Sequence, residues 1–355
     1  METGAGAEPG VRQPGGRSGP RTTVPGWRTG GGRRGRRAAT CVAALSAAVA
    51  VVVATLPGGL AAGTGSASSL PLGDYAGTDN PAGVAQFAAD TGAHVTMATD
   101  FLDGSSTWST LDAAGGIGAW SPSGYRLVLA VPMLPRRGHA SLAKGARGAY
   151  NGYFATLAQN LVAGGEGDAI LRPGWEFNGT WYRWKVRTAA GAAAYAAYFR
   201  QIVDAMRSVP GESFAFVWNP DANRSYGRYT PSQAYPGNAY VDYIGVDLYD
   251  ESWTQPITPA HAWSTYTTDG WGLDWLASFA AAQDKPIVFP EWGVAVRSDG
   301  HGLGDDPYFV NQFAAWITTH DVAWTGIFSF DDVQQDDITD GSFPSALGAF
   351  QADFG

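Results

Sequence analysis

The chain has 355 residues, of which 45% are hydrophobic and 15% are charged, and its formal net charge at pH 7 is −9. This composition provides a large apolar core and excludes a disordered chain. The charge is uneven, because residues 1–62 carry +6 and residues 63–355 therefore carry about −15. Such an acidic folded part repels a polyanion, so we expect no nucleic-acid partner.

The first 62 residues have the pattern of a targeting segment. Residues 1–37 contain eight arginines, and residues 38–62 are apolar or small and carry no charge. A secretory signal peptide has this order of a basic start, an apolar middle and small residues at the cleavage site. A retained signal-anchor is the alternative, because about 18 apolar residues span a bilayer. Both interpretations place the folded part outside the cytoplasmic membrane. We expect the protein to be secreted, and we expect membrane contact only through this segment.

The inventory of reactive side chains excludes several chemistries. The one cysteine, Cys41, lies in the apolar segment, so the mature domain would have no disulfide, cysteine metal site or cysteine nucleophile. The five histidines are scattered and no HExxH sequence occurs, which argues against a zinc site. A GxSxG elbow and a P-loop are also missing from the sequence. We therefore predict neither a metal nor a cofactor.

Short apolar runs alternate with longer Ala-rich segments after a Gly/Ser-rich linker at residues 63–69. Runs of this length, bounded by turn residues, predict buried β-strands. The predicted strands are residues 72–77, 94–101, 126–133, 169–176, 214–220, 241–249, 286–293 and 324–330.

Helical periodicity occupies most of the segments between these strands. Tyr195, Phe199, Ile202 and Met206 have the spacing of a helix that covers a sheet. In the same way, helices are predicted at residues 80–92, 149–165, 188–211, 272–285 and 306–320. The second and fifth connections between strands contain no clear helix candidate.

Eight apolar strands, each followed by a connection of helix length, predict a single (β/α)₈ TIM barrel over residues 70–355. This fold typically takes about 250 residues. An open doubly wound sheet is the alternative, but it would usually show a GxGxxG turn after the first strand, which this sequence lacks.

The active site of such a barrel lies at the carboxyl ends of its strands. Glu176 and Glu291 occur there in the fourth and seventh predicted strands, each beside a tryptophan. Glutamate is a poor helix N-cap, and a charge in an apolar stretch is costly unless it is paired or used. Asp221, Asp331 and Asp332 also follow strands, but their positions are more typical of caps and loop ion pairs.

Two converging carboxylates suit glycoside hydrolysis, in which one protonates the leaving oxygen and the other attacks the anomeric carbon. Arg172 shares the strand face of Glu176 and would keep a carboxylate ionised, unless it forms a purely structural ion pair. Tyr249 would donate a hydrogen bond to the nucleophile or pack at the rim. Trp181 and Trp184 follow Glu176 on one loop and would form a flat sugar platform, with core packing as the alternative.

Three segments, "RPGWEFNGTWYRW" (172–184), "YVDYIGVDLYD" (240–250) and "KPIVFPEWG" (285–293), resemble those of the glycoside hydrolase family 26 β-mannanases. The resemblance covers about residues 70–355 and implies a retaining (β/α)₈ glycosidase. It implies Glu176 as the acid/base and Glu291 as the nucleophile. The residues expected to bind substrate are Arg172, Trp175, Asn178, Trp181, Trp184, Asp247, Tyr249, Trp292 and Phe330.

Two positions depart from the family pattern. Trp175 stands where the mannanases usually have histidine, and Phe330 stands where they usually have tryptophan. Both positions line the subsite next to the cleaved bond. We expect a monomeric endo-β-1,4-mannanase-like enzyme acting on a polysaccharide by double displacement. A β-1,3-1,4-glucanase or a β-xylanase on the same scaffold, and a carbohydrate-binding barrel without turnover, are the alternatives.

Overall fold

A computed structural model of the protein describes residues 67–102, 106–222, 227–332 and 334–355. Eight parallel strands form a closed barrel, in which each strand pairs with the next in sequence and the last pairs with the first. The predicted (β/α)₈ barrel is confirmed. The strands are β1 Leu72–Tyr75, β2 Val95–Phe101, β3 Arg126–Val131, β4 Ile170–Pro173, β5 Ala215–Trp218, β6 Tyr243–Tyr249, β7 Ile287–Gly293 and β8 Val322–Phe328.

Helices connect the strands and cover the barrel. Each of the five predicted helices is present, and Tyr195, Phe199, Ile202 and Met206 are all buried as expected. The fifth connection, for which no helix was predicted, contains only a 3₁₀ turn at Pro231–Ala234 among its described residues. The helices are α1 Pro81–Thr91, α2 Trp108–Leu111, α3 Leu142–Gly145, α4 Asn151–Ala163, α5 Ala189–Arg207, α6 Pro259–Thr268, α7 Leu273–Gln283, α8 Pro307–Ile317 and α9 Pro344–Phe354.

The barrel interior changes from apolar to polar toward the carboxyl ends of the strands. Its apolar layer contains Met97, Val128, Ile170, Val217, Val288 and Trp324. Residues two positions further along a strand face the same side, so Arg172 follows Ile170 into the interior and Asn219 follows Val217. Because side chains alternate in direction along a strand, polar side chains form the next interior layer after the apolar one.

Strand β7 departs from this alternation at Pro290. Gly245 pairs with Val288 and Asp247 pairs with Glu291, so β7 uses one residue more than β6 over the same stretch. Proline lacks the N–H that a ladder needs and occurs within sheets mainly at edges and bulges. The bulge at Pro290 turns Glu291 into the barrel, whereas strict alternation would have pointed it outward.

The predicted basic region and apolar segment lie outside the described residues, as does most of the predicted linker. The last linker residues, Ala67–Ser69, form a 3₁₀ turn, and Ala67 is buried in the core. In the part of the chain that the structure describes, none of the helices has the length and apolar character needed to cross a membrane.

Asp74 on β1 gives a test of how burial affects stability. Its side chain is fully buried, and no other side chain of the described residues donates a hydrogen bond to its carboxyl oxygens. Burial raises the pKa of Asp74 well above its usual value, the nearby Asp337 raises it further, and the backbone N–H of Tyr75 acts in the opposite direction. The contribution of Asp74 to stability is therefore fully present below the pKa that this residue has in the unfolded chain. It is lost as the pH rises through the pKa that Asp74 has in the folded protein.

We expect Asp74→Asn to raise the melting temperature at pH 7 to 8, because the amide cannot ionise, and to change it little near pH 3. In a domain of this size about 1 kcal/mol corresponds to about 2–4 °C. Circular-dichroism melts across this pH range measure the effect, with the exposed Asp204→Asn as the control. An equal difference at every pH would contradict the ionisation argument.

Candidate active site

The guanidinium of Arg172 is the centre of the polar layer. Its Nε donates to Asn219 Oδ1 at 2.6 Å, and its Nη2 donates to Asp247 Oδ2 at 2.8 Å and to Glu291 Oε1 at 2.5 Å. Burial alone would lower the pKa of Arg172, but the carboxylates of Asp247 and Glu291 raise it. The guanidinium therefore stays charged and joins β4 to β6, to β7 and to the residue that follows β5.

Glu291 is held through both of its carboxyl oxygens. Oε1 accepts from Arg172, and Oε2 accepts from the hydroxyl of Tyr249 at 2.7 Å. Hydrogen bonds of this kind stabilise an ionised carboxylate and fix its orientation. Tyr249 ends β6, beside the β7 residue that it contacts. This arrangement suits a carboxylate that acts as a nucleophile, because both of its oxygens are held in place.

Glu176 lies on a sharp turn rather than on the strand that was predicted to end with it. Strand β4 ends at Pro173, and both Gly174 (φ 65°) and Glu176 (φ 50°) adopt left-handed backbone conformations. For a glutamate this conformation costs about 1–3 kcal/mol and persists only where the surroundings impose it. The Glu176 N–H donates to the carbonyl of Asn219 at 2.7 Å, which holds the turn.

The carboxyl groups of the two glutamates lie close together. Carboxylate oxygens of Glu176, Asp247 and Glu291 lie within 4.8 Å of one another. Retaining enzymes place their two carboxyl groups about 5–5.5 Å apart, and inverting enzymes about 6.5–9.5 Å apart. Three acids this close would also suit a metal ion, but the guanidinium of Arg172 already provides the positive charge between Asp247 and Glu291.

The surroundings of Glu176 differ from those of Glu291. Burial raises the pKa of Glu176 well above its ordinary value, and the negative charges of Asp221, Asp247 and Glu291 raise it further. A hydrogen bond from Trp181 acts in the opposite direction. A carboxyl group with a raised pKa beside a carboxylate held by a cation is the combination that general acid catalysis with a nucleophile requires.

Two tryptophans of the loop that follows Glu176 have different roles. Trp181 is 37% exposed, and its Nε1 donates to Glu176 Oε2 at 2.6 Å. Trp184 is almost fully buried, stacks on Tyr182 at 4.4 Å and donates its Nε1 to the carbonyl of Trp175. The prediction that Trp184 offers a face to sugar is therefore wrong, because Tyr182 and Trp175 cover it. Trp175 is equally buried and shapes the wall rather than presenting a ring.

Trp292, predicted to bind substrate, lies on the outer side of the barrel. It is fully buried and stacks on Phe313 of α8 at 4.2 Å and on Phe350 of α9 at 6.0 Å. The prediction is wrong because adjacent residues of a strand face opposite sides, so the inward Glu291 sends Trp292 outward.

Three further residues predicted to bind substrate are fully buried, namely Arg172, Asn178 and Asp247. Arg172 and Asp247 form the ion pair behind Glu291. Asn178 donates to the carbonyl of Asp221 and accepts from its N–H, so it joins the loops after β4 and β5. These three side chains are therefore closed to solvent and contact other residues of the site.

Of the aromatic wall on the β1, β2 and β8 side, only Phe330 was predicted from the sequence. Tyr75 packs against Phe101 at 5.0 Å and Phe328 at 4.7 Å, and Phe330, which is 38% exposed, packs on Tyr75 at 5.6 Å. Burial is the main reason that the pKa of Tyr75 is raised to about 12. The signal in the sequence was the position of Tyr75, Phe101 and Phe328, each of which is the last residue of its strand.

Comparison with known sequences points to one family. Residues 150–263 match the model of glycosyl hydrolase family 26. Endoglucanase H of Acetivibrio thermocellus is 26% identical over 220 residues, which are 59% of this chain and 22% of that protein. A mannan endo-1,4-beta-mannosidase of Bacillus subtilis is 27% identical over 168 residues, 45% of this chain and 40% of that one. The chain thus spans less than half the length of these relatives.

Solved structures share the architecture. A Cellulomonas fimi endo-beta-1,4-mannanase double mutant superimposes with a TM-score of 0.59 at 18% identity, over 82% of this chain and 71% of that one. The catalytic domain of a Bacillus sp. JAMB-750 endo-beta-1,4-mannanase gives 0.56 at 18% identity, over 80% and 85%. At this level of identity the comparison establishes the fold.

Replacing Arg172 with methionine should destabilise the protein strongly. Loss of the guanidinium leaves Asp247 and Glu291 uncompensated in the interior, which costs about 3–5 kcal/mol of unfolding free energy. Arg207→Met is the matched control, because it removes a partly exposed pair with Asp242 worth about 1 kcal/mol or less. Urea unfolding measures both, and equal losses would show that Arg172 is not the central contact.

Proposed function

We propose that the chain is a member of glycosyl hydrolase family 26, whose model matches residues 150–263, and that it is a retaining glycoside hydrolase that cleaves a β-linked polysaccharide. The observation that carries the proposal is the pair Glu176 and Glu291, whose carboxylate oxygens approach within 4.8 Å in opposite electrostatic surroundings. The enzyme would act as a monomer, without a cofactor.

In the first step the Glu291 carboxylate attacks the anomeric carbon. The protonated Glu176 gives its proton to the glycosidic oxygen, the carbon–oxygen bond breaks, and the leaving sugar departs as an alcohol. The product is a glycosyl ester on Glu291 with inverted configuration. Arg172 and Tyr249, which both donate to Glu291, hold its carboxylate in the orientation for the attack.

In the second step water attacks the same carbon, its proton passes to the Glu176 carboxylate, and the ester to Glu291 breaks. A second inversion restores the β configuration. The esterified Glu291 carries no charge, so one of the causes that raise the pKa of Glu176 is lost at this stage. Glu176 thereby changes from an acid in the first step to a base in the second.

We propose β-1,4-mannan as the substrate to test first, because relatives in Bacillus subtilis carry the name mannan endo-1,4-beta-mannosidase. Trp175 and Phe330 in place of the usual histidine and tryptophan favour a β-glucan as the second candidate. The exposed rings of Trp181 and Phe330 would contact the sugar, since flat aromatic faces fit the C–H faces of a pyranose. Release of reducing sugar from mannan, mixed-linkage glucan and xylan decides among these substrates.

Binding to a polysaccharide of this panel without release of sugar would instead support a carbohydrate-binding barrel. Secretion is part of the proposal and is supported by the basic and apolar pattern of residues 1–62. N-terminal sequencing of the protein from culture medium and from membranes tests it. A membrane-bound chain that retains residues 38–62 would show a signal-anchor.

Substitution of either glutamate should have a distinct outcome with an activated aryl β-glycoside and azide. Glu291→Ala should abolish hydrolysis, and azide should restore turnover with an α-glycosyl azide as product. Glu176→Ala should lower hydrolysis of the polysaccharide by about 10²–10⁴-fold, and azide should yield the β-glycosyl azide. NMR of the azide products distinguishes the two anomers.

Glu212→Ala serves as the control, because Glu212 precedes β5 at the opposite end of the barrel. The same anomer from both catalytic variants, or turnover by Glu291→Ala without azide, would contradict the assigned roles.

A further inference from the structure

The indole N–H of Trp181 is directed at a carboxyl oxygen. Its Nε1 lies 2.6 Å from Glu176 Oε2, while the ring keeps 37% of its surface exposed. An indole has a single donor and no acceptor, so this bond uses the polar group of the side chain. A residue that served only as a sugar platform would need its face and not its N–H.

The loop is built to hold this contact. A Cβ at position 179 would overlap the six-membered ring of Trp181, so the glycine leaves the space that the indole occupies. The N–H of Gly179 donates to the carbonyl of Glu176 at 2.9 Å, which folds the loop back over the glutamate. Arg183 fixes the loop to the one after β3 by donating to the carbonyls of Pro135, Gly138 and Ala140.

We propose that Trp181 is a positioning residue for Glu176, which it fixes so that Oε1 carries the catalytic proton while Oε2 accepts from the indole. This inference rests on the proposed function. In a neutral carboxyl the oxygen without the proton is the better acceptor, so a donor at Oε2 favours the proton on Oε1. The Oε1–H bond breaks in the first step, and a proton from water returns to Oε1 in the second.

The same bond strengthens when Glu176 ionises, because a hydrogen bond to a charged acceptor is stronger than one to a neutral acceptor. Trp181 therefore stabilises Glu176 as it loses its proton in the first step and as it acts as a base in the second. Loss of the N–H should raise the pKa of Glu176, since a donor to a carboxylate favours the charged form.

Trp181→Phe tests the proposal, because phenylalanine keeps an aromatic face and removes the N–H. Carbon-13 NMR of the glutamate carboxyls in the full chain, with Glu176→Gln to assign the resonance, measures the pKa of Glu176 directly. We expect a rise of about one unit or more, the effect of one hydrogen bond to a charged group. An unchanged or lower pKa overturns the proposal.

One further variant tests the contact without altering Trp181, and two others serve as controls. Gly179→Ala should displace the indole and raise the pKa of Glu176 as Trp181→Phe does, which keeps the test available if that variant fails to fold. Asp221→Asn should lower this pKa, because it removes a negative charge that raises it. Trp253→Phe changes an exposed tryptophan that packs on His301, and it should leave the pKa unchanged.

Kinetics separate a positioning role from a sugar platform. In Trp181→Phe the alkaline limb of kcat/KM against pH should move to higher pH, since Glu176 must be protonated for the first step, and kcat on polysaccharide should fall about tenfold. A higher KM with an unchanged pH profile would show a platform alone and would overturn the proposal.

Failure of the proposed function and failure of the positioning role of Trp181 give different experimental results. If the wild-type protein releases no sugar from any polysaccharide, the proposed function fails, while the NMR titration still decides whether Trp181 controls the protonation of Glu176. If the wild-type protein is active and the titration of Glu176 is the same in Trp181→Phe, the positioning role alone is overturned.

Discussion

The structure depends on one fully buried guanidinium. A charge in the interior is costly unless its hydrogen bonds are satisfied by well-placed partners, and Arg172 finds them in Asn219, Asp247 and Glu291. These partners come from three successive positions around the barrel, so the ion pairs form only when the strands close in the correct register. The same contacts orient the carboxylate of Glu291. The geometry of the site therefore forms only when the barrel closes.

Two irregularities of the backbone aim the glutamates. The bulge at Pro290 turns Glu291 inward, and the left-handed turn after β4 brings Glu176 to it from the other side. Regular strands would have placed neither side chain where it is. Local strain that the surroundings hold in place is common at functional sites, and here the carbonyl of Asn219 holds the strained turn.

One residue type takes two roles because the surroundings differ. Glu291 receives hydrogen bonds from a cation and from a phenol, whereas Glu176 is partly buried beside negative charges and receives one from Trp181. The negative charge of Glu291 is one of those that raise the pKa of Glu176. This division is what a double displacement needs from two carboxyl groups.

The sequence by itself determined the eight strands, the barrel and the end of the barrel at which Glu176 and Glu291 lie, because apolar periodicity and strand ends are local properties. Only the tertiary structure decided which neighbouring side chains face the site. Trp292 was misjudged because its direction depends on the bulge before it, and Trp184 because its face is covered by Tyr182. The bond from Trp181 to Glu176 likewise depends on the folding of a whole loop, which residue types alone do not specify.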